Sequence, residues 1–204
     1  LLPYLSVVFS QEVKWMSIGD LHNWYSAAGS EIEVGRTGQV SDQQDGLRYP
    51  AFYRVQDNQA AKGLWLGASN FYDPVVNKNY DKKVVHAGPR HLDIENETMP
   101  VSITMDGKYD HPNVFVDGDP ATNLQYLDYV DNVDPSLESD RKINNIVQTS
   151  LGVQMKRTIY AFAHPDHQNY HIQEYVFTNN GCFDKDCNTS YEQTLEGFQV
   201  YLQY

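Results

Sequence analysis

The chain has 204 residues, a formal net charge of −12, and a hydrophobic content of 41% that includes 13% aromatic residues. Nucleic-acid affinity depends on Lys and Arg side chains that neutralise phosphates, so this acidic balance argues against a nucleic-acid partner. No apolar run approaches the ~20 residues that a membrane-spanning helix needs, so no membrane span is expected. The hydrophobic content is sufficient for a folded core.

The first ten residues are apolar and uncharged, and they predict the remnant of a secretory signal peptide over 1–10. Small residues at Val8 and Ser10 suit the −3 and −1 positions of a signal-peptidase site, with Gln11 as the mature start. The alternative is an N-terminal strand packed in the core. Export predicts a location outside the cell or on the outer cell surface.

An irregular β-rich region is predicted over 11–140, because Gly, Pro, Asn and Asp punctuate short runs rich in Tyr, Trp and Val. Asp20 is a candidate cap for one helical turn over Trp24 to Ala28. The dipeptide Asp106-Gly107 is a candidate hairpin turn, since Gly accepts positive φ. Strands are predicted at Leu47–Val55, Gly63–Phe71, Tyr80–Ala87 and Val101–Met105.

The stretch Asp110 to Asp140 predicts a long surface loop, because Asp and Pro recur there without a continuous apolar pattern. Calcium takes six to eight oxygen ligands, and irregular acidic loops can supply them. The spacing differs from that of an EF-hand loop. A solvated acidic loop is the alternative to calcium. The candidate calcium ligands are Asp117, Asp119, Asp128, Asp131 and Asp134.

Residues 141–204 predict an incomplete antiparallel β-sandwich portion, so the fold class is all-β and sandwich-like with long irregular loops. Its candidate strands are Lys142–Gln148, Val153–Ala163, Tyr170–Thr178 and Leu195–Tyr204. The last two are expected to form a hairpin over 170–204. Because the final alternation runs into the last residue, the chain is interpreted as a fragment that stops inside or just after this domain.

The cysteines Cys182 and Cys187 lie close together at the tip of that expected hairpin. In an exported chain this spacing favours a local disulfide over a metal or redox site. The bridge would close a short loop and so stiffen the turn more than the whole fold.

Two further constellations are candidate sites. His164, His167 and His171 have a spacing that can ligate a transition metal, although the surrounding Pro and Asp residues favour a solvated polar turn. Exposed aromatic rings can stack on sugars, although aromatic residues also fill β-sandwich cores. The candidate glycan-binding residues are Trp24, Trp65 and Tyr72. Neither a serine-nucleophile elbow nor a Gly-rich phosphate loop is present.

Five segments carry a resemblance: GSEIE at 29–33, QDGLRYPA at 44–51, KVVHAGPR at 83–90, DRKINNIVQTSLG at 140–152 and NYHIQEYVFTNNG at 169–181. They resemble the N-terminal region of large uncharacterised secreted bacterial surface proteins that carry a C-terminal type IX secretion sorting domain. The resemblance implies a β-rich, multidomain, exported protein, and it brings no catalytic residues.

The sequence thus predicts a non-catalytic N-terminal module of an exported cell-surface protein, structural or adhesive in role. The expected partners are other modules of the same chain and glycans or other cell-surface components. The first alternative is a carbohydrate-binding module of a secreted hydrolase. The second is a metal-dependent enzyme that uses the three histidines.

Overall fold

A computed structural model describes residues 12–32, 46–53, 58–59, 61–87, 97–110, 115–120 and 128–203. The predicted signal-peptide remnant at 1–10 lies outside these residues. The described residues form strands and loops without a helix, which confirms the predicted all-β, sandwich-like fold class. The strands are β1 Val13–Met16, β2 Asn23–Ser26, β3 Glu31–Ile32, β4 Ala61–Asp73, β5 Lys78–Ala87, β6 Thr98–Gly107, β7 Phe115–Val116, β8 Asp119–Pro120, β9 Asn132–Val133, β10 Arg141–Thr149, β11 Val153–Ala161, β12 Ile172–Asn179 and β13 Glu196–Gln203.

A five-stranded sheet forms one layer, in the order β12-β11-β10-β6-β9. Its neighbours are antiparallel except for the short parallel pair β6 and β9. In the second sheet β4 is central, with β5 on one edge and β13 on the other. The short strand β3 pairs with the start of β4, and β1 and β2 form a separate antiparallel pair.

One face of the five-stranded sheet is covered by two different units. At one end Val147, Val153 and Met155 pack against Leu64, Leu66 and Phe71 of the second sheet. At the other end Ile143 and Ile159 pack against residues of the β1–β2 pair, including Met16 and Tyr25. Alternation along β10 explains this arrangement, because every second side chain points to the same face of a strand.

A buried polar layer separates the two apolar clusters. Asn145 and Arg157 lie opposite each other on β10 and β11, and both are fully buried. The Arg157 guanidinium donates to the carbonyl oxygens of Gly29 and Ser26 at 3.0 and 2.8 Å and to Oδ1 of Asn145 at 3.0 Å. These bonds fix the loop between β2 and β3 against the five-stranded sheet.

The pairing of the last strand corrects the expected hairpin over 170–204. Strand β13 pairs with β4, whereas β12 pairs with β11 in the other sheet. Strands from 11–140 and from 141–204 therefore share both sheets. Alternating apolar residues determine which face of a strand is buried, but not which strand lies beside it.

Three local predictions are also wrong. The segment around Trp24 is strand β2 and not a helical turn, because it pairs with β1. Asp106 and Gly107 are the last residues of β6, paired with β10, and not a hairpin turn. Within Leu47–Val55, the described residues 47–53 form no strand and hold one isolated bridge between Arg48 and His22.

The predicted disulfide is confirmed, since Cys182 and Cys187 are bonded with their Cα atoms 4.8 Å apart. It lies in the loop between β12 and β13, next to Phe183, which packs into the core. The amide of Gln148 donates to the Cys182 carbonyl at 2.6 Å and ties this loop to β10. Over the described ranges, no helix has the length and apolar character to cross a membrane.

Candidate functional site: an aromatic loop end

Three loops meet at the end of the sandwich that the β1–β2 pair covers. They are the turn 17–22, the segment 46–53 and the loop 162–171 between β11 and β12. Both backbone groups of Asp20 join them: its N–H donates to the Gln168 carbonyl at 2.9 Å, and its carbonyl accepts the Ala51 N–H at 2.8 Å. We call residues 17–22, 46–53 and 162–171 the loop end.

Close approach at Gly19 fixes this junction. Its φ of +75° lies in the left-handed region, and a Cβ there would lie 2.6 Å from the Gln168 carbonyl oxygen. Glycine tolerates positive φ and lets backbone approach backbone. The loops are therefore held in register by main-chain contacts that do not depend on the exposed side chains.

The loop end exposes a group of large aromatic side chains. Phe52 is 70% exposed, Tyr53 57%, Tyr49 44% and Tyr170 41%. The rings of Phe52 and Tyr53 lie 4.1 Å apart between centroids and are tilted by 38°. Exposed aromatic rings on a fixed backbone are typical of recognition surfaces, because they contribute apolar contact area at a low entropic cost.

The structure does not bring the three candidate metal-ligating histidines together. His164 and His167 are exposed, with ring centroids 5.7 Å apart, and Nδ1 of His167 is hydrogen-bonded to the Tyr170 hydroxyl. His171 instead points inward, where its Nδ1 lies 2.7 Å from the Tyr25 hydroxyl. Burial lowers the pKa of His171 to about 4, so its imidazole is neutral near pH 7.

The candidate calcium ligands lie in separate places. Asp131 uses both carboxylate oxygens, one for Lys14 and one for the Met105 N–H, while Asp134 accepts two bonds from Ser136. Asp117 and Asp119 lie on the exposed β7–β8 hairpin, and Asp128 is buried. In the part of the chain described, no three His, Cys, Asp or Glu side chains are placed to hold a metal ion. Calcium binding stays an untested prediction.

The three aromatic residues nominated for glycan binding are not at the loop end surface. Trp24 is buried against Trp15, with ring centroids 4.7 Å apart, so its ring presents no free face. Trp65 is half-buried and stacked on His86 at 4.7 Å. Tyr72 is half-buried against Tyr191, and its hydroxyl donates to Asn77. These positions correct the expectation that Trp24 forms part of an exposed platform.

Sequence reasoning missed the exposed aromatic residues of the segment 46–53. The available signal is the cluster of Tyr49, Phe52 and Tyr53 around Pro50, within the segment Leu47–Val55 that the sequence predicts as a strand. Proline removes a backbone donor and is rare inside a sheet, so the same cluster also fits a loop that displays its rings.

The loop end offers ring faces from Phe52 and Tyr53 together with imidazole and hydroxyl groups from His164, His167 and Tyr170. This combination can bind a partner through stacking and hydrogen bonds. No protein-family model, curated protein or solved structure matches this chain.

Proposed function

We propose that this chain is a non-catalytic module of an exported cell-surface protein, and that it adheres to its partner through the loop end. The observation that carries the proposal is the exposure of Phe52, Tyr53, Tyr49 and Tyr170 on loops that main-chain bonds hold together. Isolated exposed aromatic residues are common, whereas a cluster on a fixed backbone marks an interaction surface.

The disulfide supports the exported location. Disulfides form and persist in oxidising compartments, and they are rare in the reducing cytosol. The Cys182–Cys187 bridge lies in a different loop from the aromatic cluster, so it supports the location and not the binding site itself.

Binding of the purified protein to coated surfaces tests the proposal. The probes are insoluble cellulose, insoluble chitin and collagen-coated wells, each compared with an albumin-blocked surface. We expect retention on at least one probe, and a loss of roughly tenfold or more in affinity for the double variant Phe52→Ala/Tyr53→Ala, because aromatic anchors dominate interface energies.

The matched control is Tyr201→Ala on β13, which removes an aromatic ring that is 61% exposed on the other sheet. This variant should bind like the unchanged protein. Failure of the unchanged protein to bind any probe contradicts the proposal, as does equal weakening by the control and the double variant.

Carbohydrate binding is the second candidate, favoured by the adjacent, exposed rings of Phe52 and Tyr53. Isothermal titration with cellohexaose and chitohexaose separates it from protein adhesion. Heat of binding that disappears in Phe52→Ala/Tyr53→Ala supports a sugar ligand. Retention on collagen alone, without a titration signal, contradicts it.

A further inference from the structure

A buried carboxylate joins an amine and two side-chain amides between the β1–β2 pair and the second sheet. Oε2 of Glu31 accepts a bond of 2.6 Å from Nδ2 of Asn23. Oε1 of Glu31 lies 3.2 Å from Nζ of Lys62 and accepts a bond of 2.9 Å from Nε2 of Gln173. Asn23 and Glu31 are both buried, at 4% and 5% exposure.

Strand pairing places these groups. Glu31 on β3 lies directly opposite Lys62 on β4, and cross-strand partners present their side chains on the same face. Asn23 is the first residue of β2, and Gln173 lies on β12, where its Oε1 accepts the Tyr175 hydroxyl at 2.7 Å. The four side chains therefore come from four different strands.

The site is largely shielded from water. The side chains of Lys62 and Glu31 are only 12% and 7% exposed. The neighbouring Tyr25 is also buried. Desolvation disfavours charged forms, so in a site with little water an ammonium–carboxylate pair and its neutral amine–carboxylic acid form lie closer in free energy than they do in water.

We propose that Lys62 and Asn23 form an intramolecular isopeptide bond, with Glu31 as the proton carrier. The neutral Nζ of Lys62 attacks Cγ of Asn23, and a new C–N bond forms. Glu31 holds the proton that it took from the Lys62 ammonium. It delivers this proton to Nδ2 and takes the second proton from the attacking nitrogen. The Cγ–Nδ2 bond then breaks, and Nδ2 leaves as ammonia. The reaction needs no oxidant, cofactor or second substrate.

The two oxygens of Glu31 identify Asn23 as the acceptor. Lys62 contacts Oε1 and Asn23 contacts Oε2, so one carboxyl group can accept a proton at one oxygen and donate a proton at the other. Gln173 shares Oε1 with Lys62, and its own oxygen is engaged by Tyr175. General acid–base catalysis requires such hydrogen-bond contact with both the attacking and leaving nitrogens.

The cross-link would join β2 covalently to β4. The β1–β2 pair carries part of the loop end, so the bond would fix that end to the second sheet. Such a bond suits a module that holds a partner under mechanical tension. Formation of the cross-link does not depend on the proposed binding function.

Mass spectrometry of the full chain tests the proposal after reduction and alkylation of the disulfide. We expect an intact mass lower than that of the linear sequence by one ammonia molecule. A tryptic digest should contain one branched peptide that joins the segments carrying Asn23 and Lys62, without cleavage after Lys62. Succinimide formation at Asn180-Gly181 also releases ammonia and gives the same intact mass. The branched peptide therefore distinguishes the cross-link from a succinimide.

Variants identify each role. Lys62→Arg, which keeps the charge but is not an acylatable amine, and Glu31→Gln should both keep the full linear mass and give separate peptides. The matched control is Lys83→Arg, which alters a lysine that pairs with another buried carboxylate, Asp73, at 3.4 Å and should leave the cross-link intact.

The unchanged protein alone can overturn the proposal, whether or not a variant folds. Linear peptides for both segments in protein with native β-sheet circular dichroism would refute it. A branch at Gln173 would refute the assignment of Asn23, and a cross-link that survives in Glu31→Gln would refute the role of the carboxylate.

Discussion

The guanidinium of Arg157 should contribute a large part of the folding free energy, because it is fully buried and satisfies three separate acceptors. Those acceptors are the carbonyls of Gly29 and Ser26 and Oδ1 of Asn145. Arg157→Met would remove the donor from the Gly29 carbonyl and from Oδ1 of Asn145, whereas the Ser26 carbonyl keeps its bond from the Gly29 N–H at 3.1 Å. A buried polar group left unsatisfied costs roughly 1–3 kcal/mol, so the two orphaned acceptors give an expected loss of about 2–6 kcal/mol. Domains typically have about 5–15 kcal/mol in total.

Arg157→Lys should have a smaller effect. One ammonium nitrogen replaces the two nitrogens, Nη1 and Nη2, that reach Gly29 and Ser26, so at least one bond is lost. Hydrogen bonds to charged groups contribute about 1.5–3 kcal/mol, which sets the expected loss. The order of stability is therefore unchanged protein, then Arg157→Lys, then Arg157→Met.

Urea unfolding followed by the fluorescence of the buried Trp15 and Trp24 measures these differences as shifts of the midpoint. Lys156→Met is the matched control, since Lys156 is the exposed neighbour on the opposite face of β11. It should change the free energy of unfolding by less than about 0.5 kcal/mol. A midpoint for Arg157→Met equal to that of Lys156→Met would refute the reasoning.

Three further predictions concern the loop end, pH and the disulfide. Gly19→Ala should lower the melting temperature more than Gly118→Ala. Both positions have positive φ, which costs ~1–2 kcal/mol for alanine, but only at Gly19 would the added Cβ also lie 2.6 Å from a backbone oxygen. Equal shifts of the two melting temperatures would contradict this. His171 has a pKa of about 4 when folded and ~6.5 when unfolded, so the unfolded state binds the proton first and stability falls as pH drops through that window. Between pH 7 and pH 5, the free energy of unfolding measured in urea should fall by about 2 kcal/mol more in the unchanged protein than in His171→Gln. His22 should add a decrease of the same sign in both proteins. An equal decrease in the two proteins would contradict the assignment to His171. Replacing Cys182 and Cys187 by Ser should cost about 2 kcal/mol in thermal unfolding, because the closed loop is short, and should leave surface binding unchanged; loss of binding at a temperature where the variant is folded would contradict the separation of the two loops.

The fold class and several strands could be predicted because their signals are local. The long strands β4, β5, β10 and β11 follow from β-branched and aromatic runs between turn residues. The partner of β13 could not be predicted, since Leu202 fits opposite Leu64 for reasons of packing across the whole sandwich. Asp106-Gly107 has a turn signal, but the glycine is required inside β6, where a Cβ would lie 2.6 Å from Nη1 of Arg141.

The candidate site was less accessible to sequence reasoning. The cluster of histidines was visible, yet the inward direction of His171 depends on Tyr25, which is distant in the chain. Trp24 and Phe52 are both aromatic residues in short runs, and their opposite exposure depends on tertiary packing, since Trp24 lies against Trp15 of the paired strand β1. Likewise, the contact of Glu31 with Lys62, Asn23 and Gln173 joins four strands, and no local spacing indicates it.

The pairing of β4 with β13 has a consequence for folding kinetics. These strands lie far apart in the sequence, and β13 is the last strand of the described chain. Closing such a long loop costs chain entropy before the stabilising contacts between the two strands form. Folding is therefore expected on the slow, millisecond-to-second timescale of β proteins with non-local strand pairs. Until β13 docks, one long edge of β4 is unpaired and open to pairing with another chain. Aggregation during refolding should therefore rise when β13 is weakened, even where the final native structure is little changed.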